Sequence, residues 1–100
     1  MHIIIWEYEP TPGREADFEA AYGPTGTWTQ LFRQGSGYLG SEFYRHAAKP
    51  GRYATIDRWE SAAHYEQFRQ QHAIEYELMD RRYEQLTVEE CCTGSYDTVE

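Results

Sequence analysis

The sequence predicts an α+β fold in which four antiparallel strands are covered on one face by helices, and three observations predict it. The bulky residues change period at one point. Arg52 to Trp59 alternates as a strand does, whereas Tyr65, Phe68, His72, Tyr76, Met79, Tyr83 and Leu86 recur at steps of three and four, the stripe of an amphipathic helix. Two strand-like runs, His2 to Glu9 and Tyr38 to His46, come before that point, and a fourth, Glu89 to Tyr96, comes after it. A helical stretch separates the first two runs, so the order reads βαββαβ. In so short a chain, the ring-bearing stripe of the long helix has only the sheet to cover.

Each element has a local cause. His2 to Glu9 holds three isoleucines, Trp6 and Tyr8, and is apolar on both faces, as a strand covered on both sides would be. Pro10 and Pro12-Gly13 end it. Arg14 opens a helix whose apolar side is Ala16, Phe18, Ala21 and Tyr22, and Gly23 to Gly26 interrupts that helix. A second helical piece, Thr27 to Gln34, carries Trp28, Leu31 and Phe32, and Gly35 and Gly37 close it. Along Tyr38 to His46, simple alternation puts Tyr38, Gly40, Glu42, Tyr44 and His46 on one side. Ala47 to Gly51 is a turn, so this strand and the next form a hairpin. Ser61 is placed to cap the long helix, which has room to bend near His72 and Ala73. Thr87 and Val88 lead into the last strand, and Asp97 to Glu100 reads as a frayed tail. The arrangement is ferredoxin-like, and one sheet face is left open with Ala54 and Ile56 on it. A homodimer through that face would cover it.

Composition narrows the partners. One hundred residues make a single domain, residues 1–100. A net charge of −8, with nine Lys and Arg and no basic run longer than Arg81-Arg82, argues against nucleic acid and against anionic membrane surfaces. No apolar run has the length of a membrane span, and the opening HIIIW is too short and too early for a secretory signal, so a cytoplasmic protein is expected. The only cysteines, Cys91 and Cys92, are adjacent and read as reduced, buried, small hydrophobes. Their spacing does not suit zinc, and no metal is expected.

The βαββαβ order, the turn Pro12-Gly13-Arg14-Glu15 leading into Phe18, and above all Ile56-Asp57-Arg58-Trp59-Glu60-Ser61 before a helix with Tyr65 and Phe68 resemble the antibiotic biosynthesis monooxygenase family of dimeric α+β barrels. The likeness covers nearly the whole chain. It implies a small oxygenase of an aromatic or quinol-like molecule working without a cofactor, although the family also holds haem-degrading members. Polyketide-oxygenating members line their cavity with a second-strand tyrosine, a third-strand asparagine, the tryptophan ending that strand and a tyrosine of the next helix. One position at a time, those become Tyr44, Thr55, Trp59 and Tyr65. The chain has no asparagine at all, so Thr55 departs from the pattern, and the asparagine used by haem-degrading members has no counterpart.

Removing a proton from a phenol near neutral pH needs a general base. His72, on the inward stripe, titrates in the useful range and is the first candidate, although a core histidine with a satisfied hydrogen bond fits the same position. Asp57 is the second, and Glu42 beside it would share the helix-facing side if simple alternation held; a desolvated carboxyl there would hold its proton more tightly. Either one could instead be paired with an arginine. Trp28, Phe32, Tyr44, Trp59, Tyr65 and Phe68 could box a flat ring or could simply fill the core. A ligand-binding or dimerisation module without catalysis, and acid–base catalysis without oxygen, remain alternatives on the same fold.

Overall fold

A computed structural model describes residues 1–99. The elements run β1 (His2–Pro10), α1 (Glu15–Tyr22), α2 (Thr27–Phe32), β2 (Tyr38–Arg45), β3 (Tyr53–Trp59), α3 (Ala62–Gln71), α4 (Ala73–Tyr83), a 3₁₀ turn (Glu84–Leu86) and β4 (Thr87–Asp97). The strands form one antiparallel sheet in the order β2-β3-β1-β4, the expected ferredoxin-like topology. Both crossovers lay their helices on the same face. Between sheet and helices, Trp59, Phe18 and Phe68 are fully buried, and Ile4, Leu31 and Leu86 fill in around them.

The join at the end of β3 is built as its residues suggest. The Ser61 hydroxyl accepts the His64 backbone N–H at 3.2 Å, capping α3. Trp59 then lies under that helix, with ring centroids 5.5 Å from Tyr65 and 5.1 Å from Phe68. Gly35 is required there, because a Cβ would come within 2.8 Å of Phe68 and 2.9 Å of Trp59.

The long helix divides at His72, where a bend is expected: that residue leaves the helical region (φ −114°, ψ 27°) and caps both α3 and α4. Other expectations are corrected. The tail is tied down at its start: Asp97 ends β4 and accepts a bond from His2 Nδ1 at 2.8 Å, and the Thr98 N–H donates to the Met1 carbonyl at 2.9 Å. Residue 100 lies outside the described residues. Cys91 and Cys92 are free but exposed, on β4 at the edge of the sheet.

The correction with most consequence is in β2. Tyr38 pairs with Trp59 but Gly40 pairs with Arg58, so Leu39 is an extra residue in the ladder, and Gly40 takes φ +119° to accommodate it. Beyond that bulge every side chain changes face. Ser41 and Phe43 join Tyr38 on the helix side, opposite Asp57 and Thr55, while Glu42 and Tyr44 turn to the open face. There Glu42 accepts bonds from both Arg58 and Tyr44.

Candidate functional site

A hollow of about 50 Å³ opens between the inner face of the sheet and the helices. Its floor is Trp6 and Tyr8 of β1 with Thr55 and Asp57 of β3. Period-two alternation brings these four together, since each pair is spaced by two and the strands are neighbours. Tyr22, Trp28, Thr29 and Phe32 form one wall, Tyr65 and Tyr76 with Asp80 the other, and Glu90 of β4 stands at the edge.

Asp57 is the chemically distinctive group. It is only 8 % exposed, and burial pushes its carboxyl from 3.8 up to about 6, against the opposing effect of its one hydrogen bond. That bond comes from the Ser41 hydroxyl to Oδ1 at 2.6 Å. The Ser41 oxygen is in turn 2.5 Å from the Tyr38 hydroxyl, so a chain of three polar groups leads from the hollow to half-buried Tyr38. Asp57 Oδ2 takes no hydrogen bond among the described residues.

The tyrosine hydroxyls are kept neutral. Desolvation is the leading cause of the raised pKa at Tyr8, Tyr22 and Tyr76, with nearby carboxylates adding to it. Tyr22 donates to Glu90 Oε1 at 3.0 Å, and Tyr8 and Thr55 share a long contact of 3.4 Å. The Trp28 indole N–H lies close enough to the Tyr22 hydroxyl to favour its anion, yet completes no hydrogen bond of proper geometry. Arg69 reaches the second wall from outside: it donates to the Tyr65 hydroxyl at 3.0 Å and sits 3.8 Å from the centre of the Tyr76 ring.

Of the residues singled out in the sequence, Trp28, Phe32, Thr55, Asp57 and Tyr65 line this hollow. Trp59 and Phe68 do not; at 0 % and 1 % exposure they are closed core beside it. Tyr44 lies on the opposite face of the sheet because of the Gly40 bulge. His72 sits at the α3–α4 joint, its Nδ1 3.0 Å from Glu75 Oε2 and its ring against Phe68, and it lines no part of the hollow. Sequence reasoning passed over Trp6, Tyr8, Tyr22, Asp80, Glu90 and the Ser41–Tyr38 chain as site residues. Alternation along β1 could have found Trp6 and Tyr8. Nothing short of the bulge could have found Ser41.

Among the described residues no three His, Cys, Asp or Glu side chains stand where they could hold a metal, and no helix is long and apolar enough to cross a membrane. A family model described as antibiotic biosynthesis monooxygenase matches residues 1–76. No curated protein matches the chain. Among solved structures, one provisionally assigned to antibiotic biosynthesis monooxygenases, from Bordetella bronchiseptica, is 25 % identical with a TM-score of 0.77, covering 99 % of this chain and 97 % of its own. A variant of SnoaB, a cofactor-independent oxygenase from Streptomyces nogalater, has a TM-score of 0.72 at 15 % identity, covering 99 % and 93 %. MhuD, solved with two manganese protoporphyrins in each active site, has a TM-score of 0.74 at 17 % identity, covering 100 % and 96 %.

Proposed function

The chain belongs to the antibiotic biosynthesis monooxygenase family, and from that premise we propose that it oxygenates a hydroxylated aromatic molecule without a cofactor, with Asp57 as the general base. The observation that supports this reading is a desolvated carboxyl, one oxygen free, in the floor of an aromatic hollow. Such a carboxylate is a stronger base than an exposed one and still ionised at neutral pH. It takes the phenolic proton, leaving an electron-rich anion, and dioxygen reacts at a ring carbon. A phenol and dioxygen give a quinone and water, so the substrate supplies every electron and no reductant is needed. The proton on Asp57 leaves through Ser41 and the Tyr38 hydroxyl to solvent.

Thr55 holds the position of the family's asparagine, and its hydroxyl, loosely held by Tyr8, orients an oxygen of the ring. Tyr65 and Trp28 flank the ring. A porphyrin, as in MhuD, is not the ligand proposed: no histidine, cysteine or methionine lines the hollow. Oxygen uptake across a panel of naphthols and hydroquinones tests the reading. One dioxygen consumed per quinone formed is expected, with Asp57→Asn reducing the rate by roughly 10²-fold or more. Turnover that survives in that variant would remove Asp57 from the chemistry.

One observation favours a second reading, a ligand-binding module without catalysis: the space under Trp59 is filled by Phe32, Tyr65 and Phe68. Ring binding without oxygen uptake on any panel member would establish it. In either case the working unit is a homodimer through the open sheet face, which presents Ile3, Ile5, Ala54 and Ile56 together with exposed Tyr44 and Tyr96.

A further inference from the structure

Every charged side chain lining the hollow is an acid: Asp57, Asp80 and Glu90, with no Lys, Arg or His among the lining residues. Their fields reach the space itself. The Tyr8 hydroxyl feels Asp57 and Glu90 and Tyr22 feels Glu90 and Asp80, each pushed towards its neutral form, whereas at Tyr76 the positive charge of Arg69 opposes that of Asp80 and outweighs it. Arg69, stacked on the Tyr76 ring and bonded to Tyr65, acts on that wall and leaves the floor at Tyr8 and the opposite wall at Tyr22 to the acids. The wall between these acids is aromatic, and aromatic faces attract cations.

A substrate anion forming at the floor would meet the like charge of Asp57 and Glu90. The compensating positive charge has to come with the ligand, since the lining supplies none. The second sign of a built ligand site is Asp57 itself, more than nine-tenths buried in the floor with one oxygen unpartnered.

We propose that the hollow selects a phenolic aromatic amine, the ring lying among Tyr8, Trp28, Tyr65 and Tyr76 and the ammonium group held towards Asp80 and Glu90, and that it rejects ring ligands bearing a carboxylate. This rests on the hollow being the ligand site and not on the oxygen chemistry. The ammonium offsets the phenolate, so the reacting species is a zwitterion with no net charge brought among the acids.

Three stable probes with one ring and three charges test it by calorimetric titration at pH 7.5 and low salt: tyramine, 4-methylphenol and 4-hydroxyphenylacetate. Tyramine should bind about tenfold or more tightly than 4-methylphenol, and the acid should bind more weakly still. Asp80 and Glu90 are exposed, so the pair of substitutions Asp80→Asn and Glu90→Gln should leave the fold intact and bring the ratio of tyramine to 4-methylphenol affinity towards one. A pair with the same charge change elsewhere, Glu15→Gln with Glu77→Gln, should leave that ratio alone and so separates the local field from the net charge. Equal binding of all three probes, or a ratio that survives the Asp80 and Glu90 substitutions, overturns the charge selection while the hollow remains a ligand site. No binding of any probe at millimolar concentration overturns the proposal together with the hollow as a site.

Discussion

Burying Asp57 gives the folded protein a proton affinity that the unfolded chain lacks. Its carboxyl titrates at about 6 when folded, against 3.8 for the ordinary group, so between those values the native state holds a proton that the unfolded state has lost. Stability therefore falls as the pH rises through this window and stays lower above it. A shift of this size corresponds to about 3 kcal/mol. Asp57→Asn keeps the shape, and its amide oxygen keeps an acceptor for Ser41, while removing the buried charge. Urea unfolding of the variant should show a gain of up to about 3 kcal/mol at pH 7 and a smaller loss of stability between pH 4 and pH 7 than in the parent. An unchanged pH slope would mean the carboxyl is solvated. Lost turnover with gained stability would mark a residue retained for chemistry and not for folding.

At the scale of the element, β2 decides what faces the site. Its single extra residue at Leu39 exchanges the two faces of the strand, and Gly40 makes that possible at φ +119°. A Cβ on Gly40 would meet nothing within 4 Å, so the consequence of Gly40→Ala is conformational and not steric. Chemical denaturation should show a loss of about 1–3 kcal/mol, the range for a side chain held in a glycine-only backbone region. If the strand relaxes by dropping the bulge, Ser41 leaves Asp57 and the carboxyl titrates still higher, which carboxyl-carbon NMR would detect. A variant as stable as the parent, with Asp57 unmoved, would mean that the bulge does not depend on glycine.

For the whole molecule, the open face of the sheet carries the prediction. Ile3 and Ile5 lie beside Ala54 and Ile56 on that face, and exposed Tyr44 and Tyr96 flank them. Sedimentation at micromolar concentration should give a dimer, and Ile5→Glu with Ile56→Glu should give a folded monomer, since neither residue is in the buried core. A monomeric parent chain would leave the face without a partner of its own kind.

What the sequence determined alone was whatever depends on spacing along one element: the period change at Trp59, the cap at Ser61, Thr55 and Asp57 on one side of β3, and Tyr65 and Tyr76 on one side of the following helices. Those relations are local and survive any packing. Simple alternation puts Tyr44 and Glu42 on the wrong face because one inserted residue reverses a strand, and the insertion is visible only against the partner strand that defines it. Of the two readings the sequence allows for His72, the geometry matches a histidine packed on the core with a satisfied hydrogen bond, its ring against Phe68 and its Nδ1 on Glu75. The hollow itself belongs to no segment. It is the space left where β1, β3 and two pairs of helices fail to meet, and such a remainder, with the three acids around it, exists only after tertiary packing has fixed the distances between them.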